Sequence, residues 1–353
     1  MATPSPAEQF SSELSALQSK IGSLQGSTRL SSVRDAVENF QTGVNGLTQR
    51  VAALRARGYA FEKDLEAQAA GFVQQWAGLS PALLAQIEQQ SATLQAALRP
   101  IESQVNQLAG QAPNPGAQSL VQSLQASANT LDGNVSAAES QLKGMYDALE
   151  GQVGTLTGHL ERVEWMLGQL AEAKFALLPG EAGIAAVKTV WCKEVKHRDD
   201  DPQGVLYLTD QRLLFEEKDE IATKKVLFIA TEKQKVQELK WQVPVALLAE
   251  IKPSKQGMLH NEDHLDLKFG DGAPIQSAHV HIWEDGNTWL QLLNRAKAKD
   301  FDGGRAIAID QAAVAAVKAL PAQCPSCGGN LDQVVLRGQA DVKCQYCGFV
   351  IRL

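Results

Sequence analysis

The sequence predicts a multidomain α + β protein: an elongated helical coiled-coil or hairpin region, a compact antiparallel β-barrel with a C-terminal helix, and a small cysteine-bound tail. Three observations predict it. Up to about residue 178 the apolar residues recur in a three-four rhythm, and from about 183 to 300 the period changes to two. Four of the five cysteines then fall in the last thirty residues as two Cys-x2-Cys pairs. With 353 residues the chain is too long for one ordinary core. The expected divisions are 1–178, 179–300, a linker with a short helix at 301–320, and 321–353.

Composition excludes several classes of function. Hydrophobic residues make up 44%, charged residues 21%, and the formal net charge is -7, so nothing global favours nucleic acid or an anionic membrane. Any such binding must be local. No apolar run approaches the roughly 18 to 20 residues of a spanning helix, and "MATPSPAEQF" has neither a basic n-region nor an apolar h-region. The expected location is the cytoplasm, with contact at the inner face of the membrane as a peripheral form of it. Cys192 stands alone in a strand-like run, and the other cysteines have ligand spacing rather than the scatter of a disulfide framework.

The helical seam begins at Phe10, Leu14, Leu17, Ile21 and Leu24 and continues at Val33, Val37, Phe40, Val44, Leu47, Val51 and Leu54. At "LSPALL", Ser80 is a candidate cap and Pro81 a first helical residue, opening a helix through Leu84, Ile87, Leu94, Leu98, Ile101, Val105 and Leu108 with a kink expected at Pro100. "GQAPNPGAQ" reads as a loop. Beyond it one seam from Leu124 to Leu177 predicts a last helix about 90 Å long. A single reversing loop makes an antiparallel hairpin or elongated bundle the economical arrangement, and stripes left uncovered by one hairpin predict self-association. Gly144, Gly151 and Gly158 recur every seven residues, either as a smooth stripe for a close helix or as tolerance in a loosely packed one. The first helix has two readings as well. Its apolar stripe sits opposite Ser, Gln and Gly with only Lys20 basic, as in lipid-packing helices, or it is an ordinary seam packing on its neighbours.

In the period-two region, strands are expected at "AAVKTVWCKEV", "GVLYLT", "RLLFEE", "KVLFIA", "QELKWQV", "LAEIKPS", "HLDLKF" and "QSAHVHIW". A helix follows at "DGNTWLQLLNRAKAKD", with Trp289, Leu292, Leu293 and Ala296 on one face. Asp210 and Gln211 form a short turn between two strands whose Val205, Tyr207, Leu213 and Phe215 alternate toward a buried face.

"GVLYLTDQRLLFEE" and the later "VPVALLAEIKPS" resemble the hairpin and following segment of GRAM and bacterial pleckstrin-homology-like (PH-like) domains, over roughly a third of the chain. The resemblance implies a fold before a function. It also implies a candidate site for anionic lipid headgroups in the loop after the first strand, at Lys193, Lys196 and Arg198. Asp199, Asp200 and Asp201 follow directly and oppose a phosphate within a Debye length of about 8 Å, which favours a solvated turn on a protein-binding scaffold.

If "DHLDLKFGDGAPIQSAHVHIW" is a hairpin with Phe269 near Gln276, then His264 lies opposite His281 and Asp266 opposite His279, all on the outer face. Three imidazoles and a carboxylate suit zinc or another divalent transition ion; a solvated polar face explains the same residues. His260 and His264 span "HNEDH", the wrong order for a helical zinc-protease motif. No phosphate-cradling, nucleophile-elbow, dinucleotide or calcium-loop motif occurs, so no enzymatic activity is expected. Cys192 reads as a buried thiol rather than a nucleophile.

Cys324, Cys327, Cys344 and Cys347 are two Cys-x2-Cys knuckles separated by sixteen residues, a spacing that places four thiolates tetrahedrally around Zn2+. The tail looks like a zinc ribbon holding one structural Zn2+. Gly328 and Gly348 supply the tight turns, and "QVVLRG", "ADVKC" and "FVIRL" the short strands. Redox pairs are the rival reading, but a thioredoxin motif uses one pair in an α/β domain. Arg337, Lys343 and Arg352 against Asp332 and Asp341 form only a thin basic patch, so a protein partner is favoured over nucleic acid. A short helix before the tail needs a surface to cover Val314 and Val317. Together these readings describe a non-enzymatic adaptor that self-associates through its helices and docks partners through its sheet domain and ribbon, at a membrane surface in its most concrete form. A nucleic-acid-associated factor using the ribbon is the alternative.

Overall fold

Five helices come first in the computed structural model: α1 (Pro6–Ser27), α2 (Ser31–Ala56), α3 (Leu65–Leu108), α4 (Pro115–Gly144) and α5 (Asp147–Glu172). The structure describes residues 5–193, 201–226, 229–257, 261–309, 320–331 and 333–353, without the side chains of 220–234. Lys196, Arg198, Asp199, Asp200, His260, Val314, Val317 and Asp332 lie outside the described residues. The chain divides into two compact units, one of Met1–Gln49 and Ala67–Thr157 and the other of Arg50–Glu66 and Gly158–Leu353. Residues 158–178, read from sequence as part of the helical region, thus group with the sheet.

The first unit runs up, down and up. Along α1 and α2, Gln25 and Arg34 meet Glu102 and Glu88 of α3, so that the partner number falls as the residue number rises. Against α4, Lys20 and Ser32 meet Asp132 and Glu139, so that it rises. Of the expected hairpin or bundle, the arrangement is thus a bundle of three helical lines. Ser5 caps α1 in a reciprocal box with Glu8, and Asn114 caps α4 by accepting from the Ala117 amide. Phe40, Trp76 and Tyr146, one from each line, meet with ring centroids 4.9, 5.6 and 6.3 Å apart.

Three expectations about these helices need correction. Pro81 does not start a helix: α3 passes through both Pro81 and Pro100, because the buried positions Phe72, Trp76, Leu83 and Ile87 form one uninterrupted packing stripe. The first seam breaks at Thr28–Leu30, where Leu30 takes a left-handed φ of 53°. The buried Thr28 carbonyl exposed by that break accepts from the Ser91 hydroxyl of α3 at 3.1 Å. The last seam is two helices, since the amides of Met145 and Tyr146 bond back three residues rather than four, just after Gly144.

The apolar stripe of α1 is already occupied. Phe10, Leu17, Ile21 and Leu24 are buried, Leu14 is half-buried, and α1 packs on α4, so bilayer insertion would first have to remove them from that core. The premise for self-association weakens in the same way, because the seams cover one another and leave Leu84 and Leu120 as the exposed large apolar side chains of this unit among the described residues. Gly144 and Gly151 face open space, which fits tolerance in a loosely packed helix. No described helix is long and apolar enough to cross a membrane.

The second unit is built on strands β1 (Gly183–Cys192), β2 (Gln203–Thr209), β3 (Arg212–Val226), β4 (Ile229–Pro244), β5 (Leu248–Gln256), β6 (Glu262–Phe269) and β7 (Ser277–Ile282). They form one antiparallel sheet in the order β4-β3-β2-β1-β7-β6-β5, followed by helix α6 (Gly286–Lys297), a PH-like arrangement. Eight expected runs become seven strands, because the described residues of "KVLFIA" are divided between the end of the long β3 and the start of β4 rather than forming a strand of their own. The sheet curls: Trp241 of β4 lies 6.2 Å from Phe269 of β6, from opposite halves of the strand order. Trp191, Phe215, Leu265, Val280 and Ile282 join them inside. Asp285 caps α6, and Trp289, Leu293 and Ala296 are buried from it as its periodicity predicts, with Leu292 half-buried.

Residues 301–307 are not a loose glycine linker. The Lys63 amide donates to Gly304, and Ala306 and Ile307 both donate to the Ala60 carbonyl, fixing this strap on the segment between α2 and α3. Phe61 meets Phe301 at 5.7 Å, and Arg305 lies over the Phe61 ring. Arg55 holds that segment from below by donating to the carbonyls of Tyr59, Phe61 and Glu62.

Candidate metal centre

The cysteine tail is shaped by its two knuckles. Gly328 and Gly348 adopt φ of 71° and 74°, which lets their amides turn back to the carbonyls of Cys324 and Cys344 at 2.8 and 2.9 Å. The Ser326 and Tyr346 amides then point at the sulfurs of Cys324 and Cys344, each at 3.4 Å. All four thiols lie within 4.8 Å of one another, and the cross-knuckle pairs Cys324–Cys347 and Cys327–Cys344 are each 3.7 Å apart. Four sulfurs about 2.3 Å from a tetrahedral zinc would sit about 3.8 Å from each other, whereas a disulfide would bring two to about 2.05 Å. The donor set therefore fits a single zinc. Backbone donors from Cys347 and Tyr346 pull the Cys344 thiol down, while hydrogen bonds with Cys347 and the other thiols push the facing Cys327 thiol up.

Among the described residues the core around the knuckles is small: Cys324, Leu331, Cys344 and Ile351 with Leu320 against them, and Val342 buried as well. Strands β8 (Asp341–Lys343) and β9 (Val350–Arg352) form where "ADVKC" and "FVIRL" predict them. "QVVLRG" does not form a strand. It is recruited elsewhere, because Arg337 and Gly338 dock on the β2–β3 turn of the sheet.

That turn, "TDQR", is an anchor. The Thr209 hydroxyl accepts from the amides of Gln211 and Arg212 and shapes the turn. Gln211 clamps the Arg337 backbone from both sides, donating to its carbonyl at 3.1 Å and accepting from its amide at 2.6 Å. The Asp210 carboxylate pairs with the guanidinium of Arg337 and, at 2.8 Å, with that of Arg305. Burial pushes the Asp210 carboxyl up, against the pull of the Ala182 amide and the two arginines. Arg337 is thereby spent on the sheet, leaving Lys343 and Arg352 of the expected basic patch exposed. Nothing local in the sequence marks this turn as an anchor, since Asp, Gln and Arg beside Thr also suit a solvated hairpin.

Gly338 closes the contact. It has a φ of 78°, and a Cβ there would meet the Pro179 carbonyl oxygen at 2.4 Å. Gly338→Ala should release residues 320–353 from the sheet while leaving the knuckles folded. Hydrogen exchange should rise at Gln211 and Arg337, and unchanged protection there would contradict this account.

The histidine hairpin has the expected register. Phe269 donates to Gln276, His264 faces His281, and Asp266 faces His279. The face is not solvated as expected: His264 is only 1% exposed, and Val190 and Cys192 of β1 are buried beside it. His264 stacks on both other imidazoles, with centroids 5.0 Å from His279 and 4.8 Å from His281, and Trp283 stacks on His281 at 4.5 Å. Asp266 is bound to His279 Nδ1 at 2.6 Å, so it supports a histidine rather than standing free as a fourth donor. Sequence reading overlooked Cys192 and Glu262, which the fold brings to opposite sides of His264. Burial, with the Asp201 charge, pushes the Cys192 thiol up to about 11. In the candidate headgroup loop the described member is Lys193, exposed, with its backbone amide on the buried Asp201 carboxylate.

No family model matches the chain, and no curated protein matches it. Solved structures retrieved by shape include the DH/PH fragment of PDZRHOGEF in a complex with human RhoA, at 12% identity and a TM-score of 0.25 over 84% of this chain and 96% of that one. The PDZ-RhoGEF DH/PH domains with GTP-gamma-S activated RhoA match at 13% identity and a TM-score of 0.24, over the same shares. At such TM-scores the likeness carries no argument.

Proposed function

We propose that the chain is a non-enzymatic adaptor in which a zinc ribbon, holding one structural Zn2+ on Cys324, Cys327, Cys344 and Cys347, presents a docking surface for a protein partner. One observation carries the reading: around the second knuckle Tyr346, Phe349 and Val350 are 63%, 45% and 53% exposed, on a module pinned to the sheet at Asp210 and Gln211. Large apolar side chains on so small a body are expensive to leave in water, and a rigid mount lowers the ordering cost of binding. When bound, the metal cross-links the two knuckles. The protein's own contribution is the amide-lined turns that hold the four sulfurs and the anchor that fixes their orientation. The absence of nucleophile and phosphate-binding motifs agrees with binding rather than catalysis, and the loss of Arg337 to Asp210 favours protein over nucleic acid.

The test replaces Tyr346 and Phe349 with serine together. Zinc content and melting should be unchanged, while the partners recovered with the wild-type chain from its native cells fall by about tenfold or more, as hot-spot loss predicts. Equal recovery would overturn the reading. So would retention on nucleic acid that weakens steeply with salt, which would mark phosphate contacts instead.

A further inference from the structure

We propose a second metal site, distinct from the cysteine tail, in which His264 Nε2, His281 and Glu262 bind a first-row divalent transition ion at the wall of a cavity lined by Trp283.

Hydrogen bonding fixes which nitrogen is available. The Asp266 carboxylate accepts from His279 Nδ1 at 2.6 Å, so the neutral ring of His279 carries its one proton there and presents a bare Nε2. That nitrogen lies 3.0 Å from His264 Nδ1, which therefore donates. His264 Nε2 is then a lone pair, and it is buried without a hydrogen-bond partner. A buried imidazole nitrogen with no donor facing it has lost its hydration for no return. A cation supplies what is missing. Glu262 stands 3.7 Å from this nitrogen, and Glu262, His264 and His281 each bring a donor atom within 4.8 Å of the others.

The arrangement also has the outer support that metal-bound histidines usually need. Asp266 and His279 form a relay that holds the His264 tautomer, as carboxylate–histidine pairs do behind zinc and other ions. Glu262 and His281 are partly exposed and have room to close on an ion, His281 by turning out of its stack on Trp283. A cavity of about 540 Å3 lies beside them, lined among others by Asn261, Glu262, His281, Trp283 and Asp285. Two imidazoles and one carboxylate leave coordination positions open toward that cavity for an oxygen-donor ligand. This inference does not rest on the adaptor reading.

Co2+ is the probe, added to full-length protein whose cysteine tail is already loaded with zinc. One further equivalent should bind, with weak visible bands of nitrogen and oxygen ligation, no thiolate charge-transfer band, and quenching of Trp283 that Trp283→Phe removes. His264→Gln and Glu262→Gln should abolish the second equivalent and keep the first. Asp266→Ala should weaken it by about 10- to 100-fold, the usual effect of losing an outer-shell partner. Cys344→Ser should do the reverse of His264→Gln, losing the tail metal and keeping this one. No second equivalent in the folded wild type would overturn the proposal. So would a thiolate band abolished by Cys192→Ser, which would place the ion on the other side of His264.

Discussion

Cys344→Ser should remove the tail metal and unfold residues 320–353, with metal content falling by one equivalent per chain and their amide hydrogens exchanging freely. The expected loss is large because a structural zinc contributes apparent binding energy of about 10–16 kcal/mol, and here that energy is folding energy. Among the described residues the ribbon's apolar core is small: Leu331 and Ile351 packed on two of the cysteines, with Leu320 beside them, and the buried Val342. A module below about 40 residues rarely holds itself together on so few contacts. The helical unit and the sheet should stay folded, apart from the contacts that Gln211 and Asp210 make to Arg337. An ordered ribbon in metal-free protein, or a Cys324–Cys327 disulfide under reducing conditions, would defeat the assignment.

Arg212→Ala should destabilise the sheet unit by about 3–5 kcal/mol, the cost of leaving a buried charge without its partner. Arg212 reaches Glu181 with two bonds, at 2.9 Å to one oxygen and 2.5 Å to the other, and the Glu181 side chain is 0% exposed. The same guanidinium also donates to Gln242 and to the Ala176 carbonyl, so alanine takes one donor from each of four acceptors. Once it is gone, Glu181 keeps the Thr209 hydroxyl and the Leu178 amide, two neutral donors for a full charge. Urea unfolding followed by tryptophan emission measures the loss as a lower midpoint. Adding Glu181→Leu to Arg212→Ala should recover much of it, because the stranded carboxylate is removed too. A single variant as stable as wild type would show that the pair carries no net burden of burial.

What could be read in the sequence was what neighbours in sequence decide. The knuckles close over four residues each, so Cys-x2-Cys-Gly suffices to place them. The β6–β7 register follows from alternation and one short loop, and His264 opposite His281 was readable for that reason. The period of two also located the sheet, and the 3.6-residue period of α6 placed Trp289 and Leu293 inside. What escaped was decided by distant partners. Burial of His264 depends on β1, which arrives from more than seventy residues earlier with Cys192. Arg337 looked like a surface charge until Asp210 took it up, 127 residues away. Pro81 looked like a helix start because the local rule is sound, and Trp76 and Leu83 overrode it by packing on either side.

The strap over Ala60 and Lys63 sets a timetable for the ribosome. Lys63 contacts Gly303, 240 residues later in the chain. At about 5–20 residues per second, roughly 12 to 48 s separate their emergence. Through that interval Tyr59 and Phe61 have been made but Phe301 and Arg305, which cover Phe61, have not. Closing so long a loop is slow even though its extra entropic cost grows only logarithmically with length. The sheet unit should thus be completed late, only once residues 301–307 have emerged, and its exposed aromatic segment is where a chaperone would bind a nascent chain stalled before residue 301.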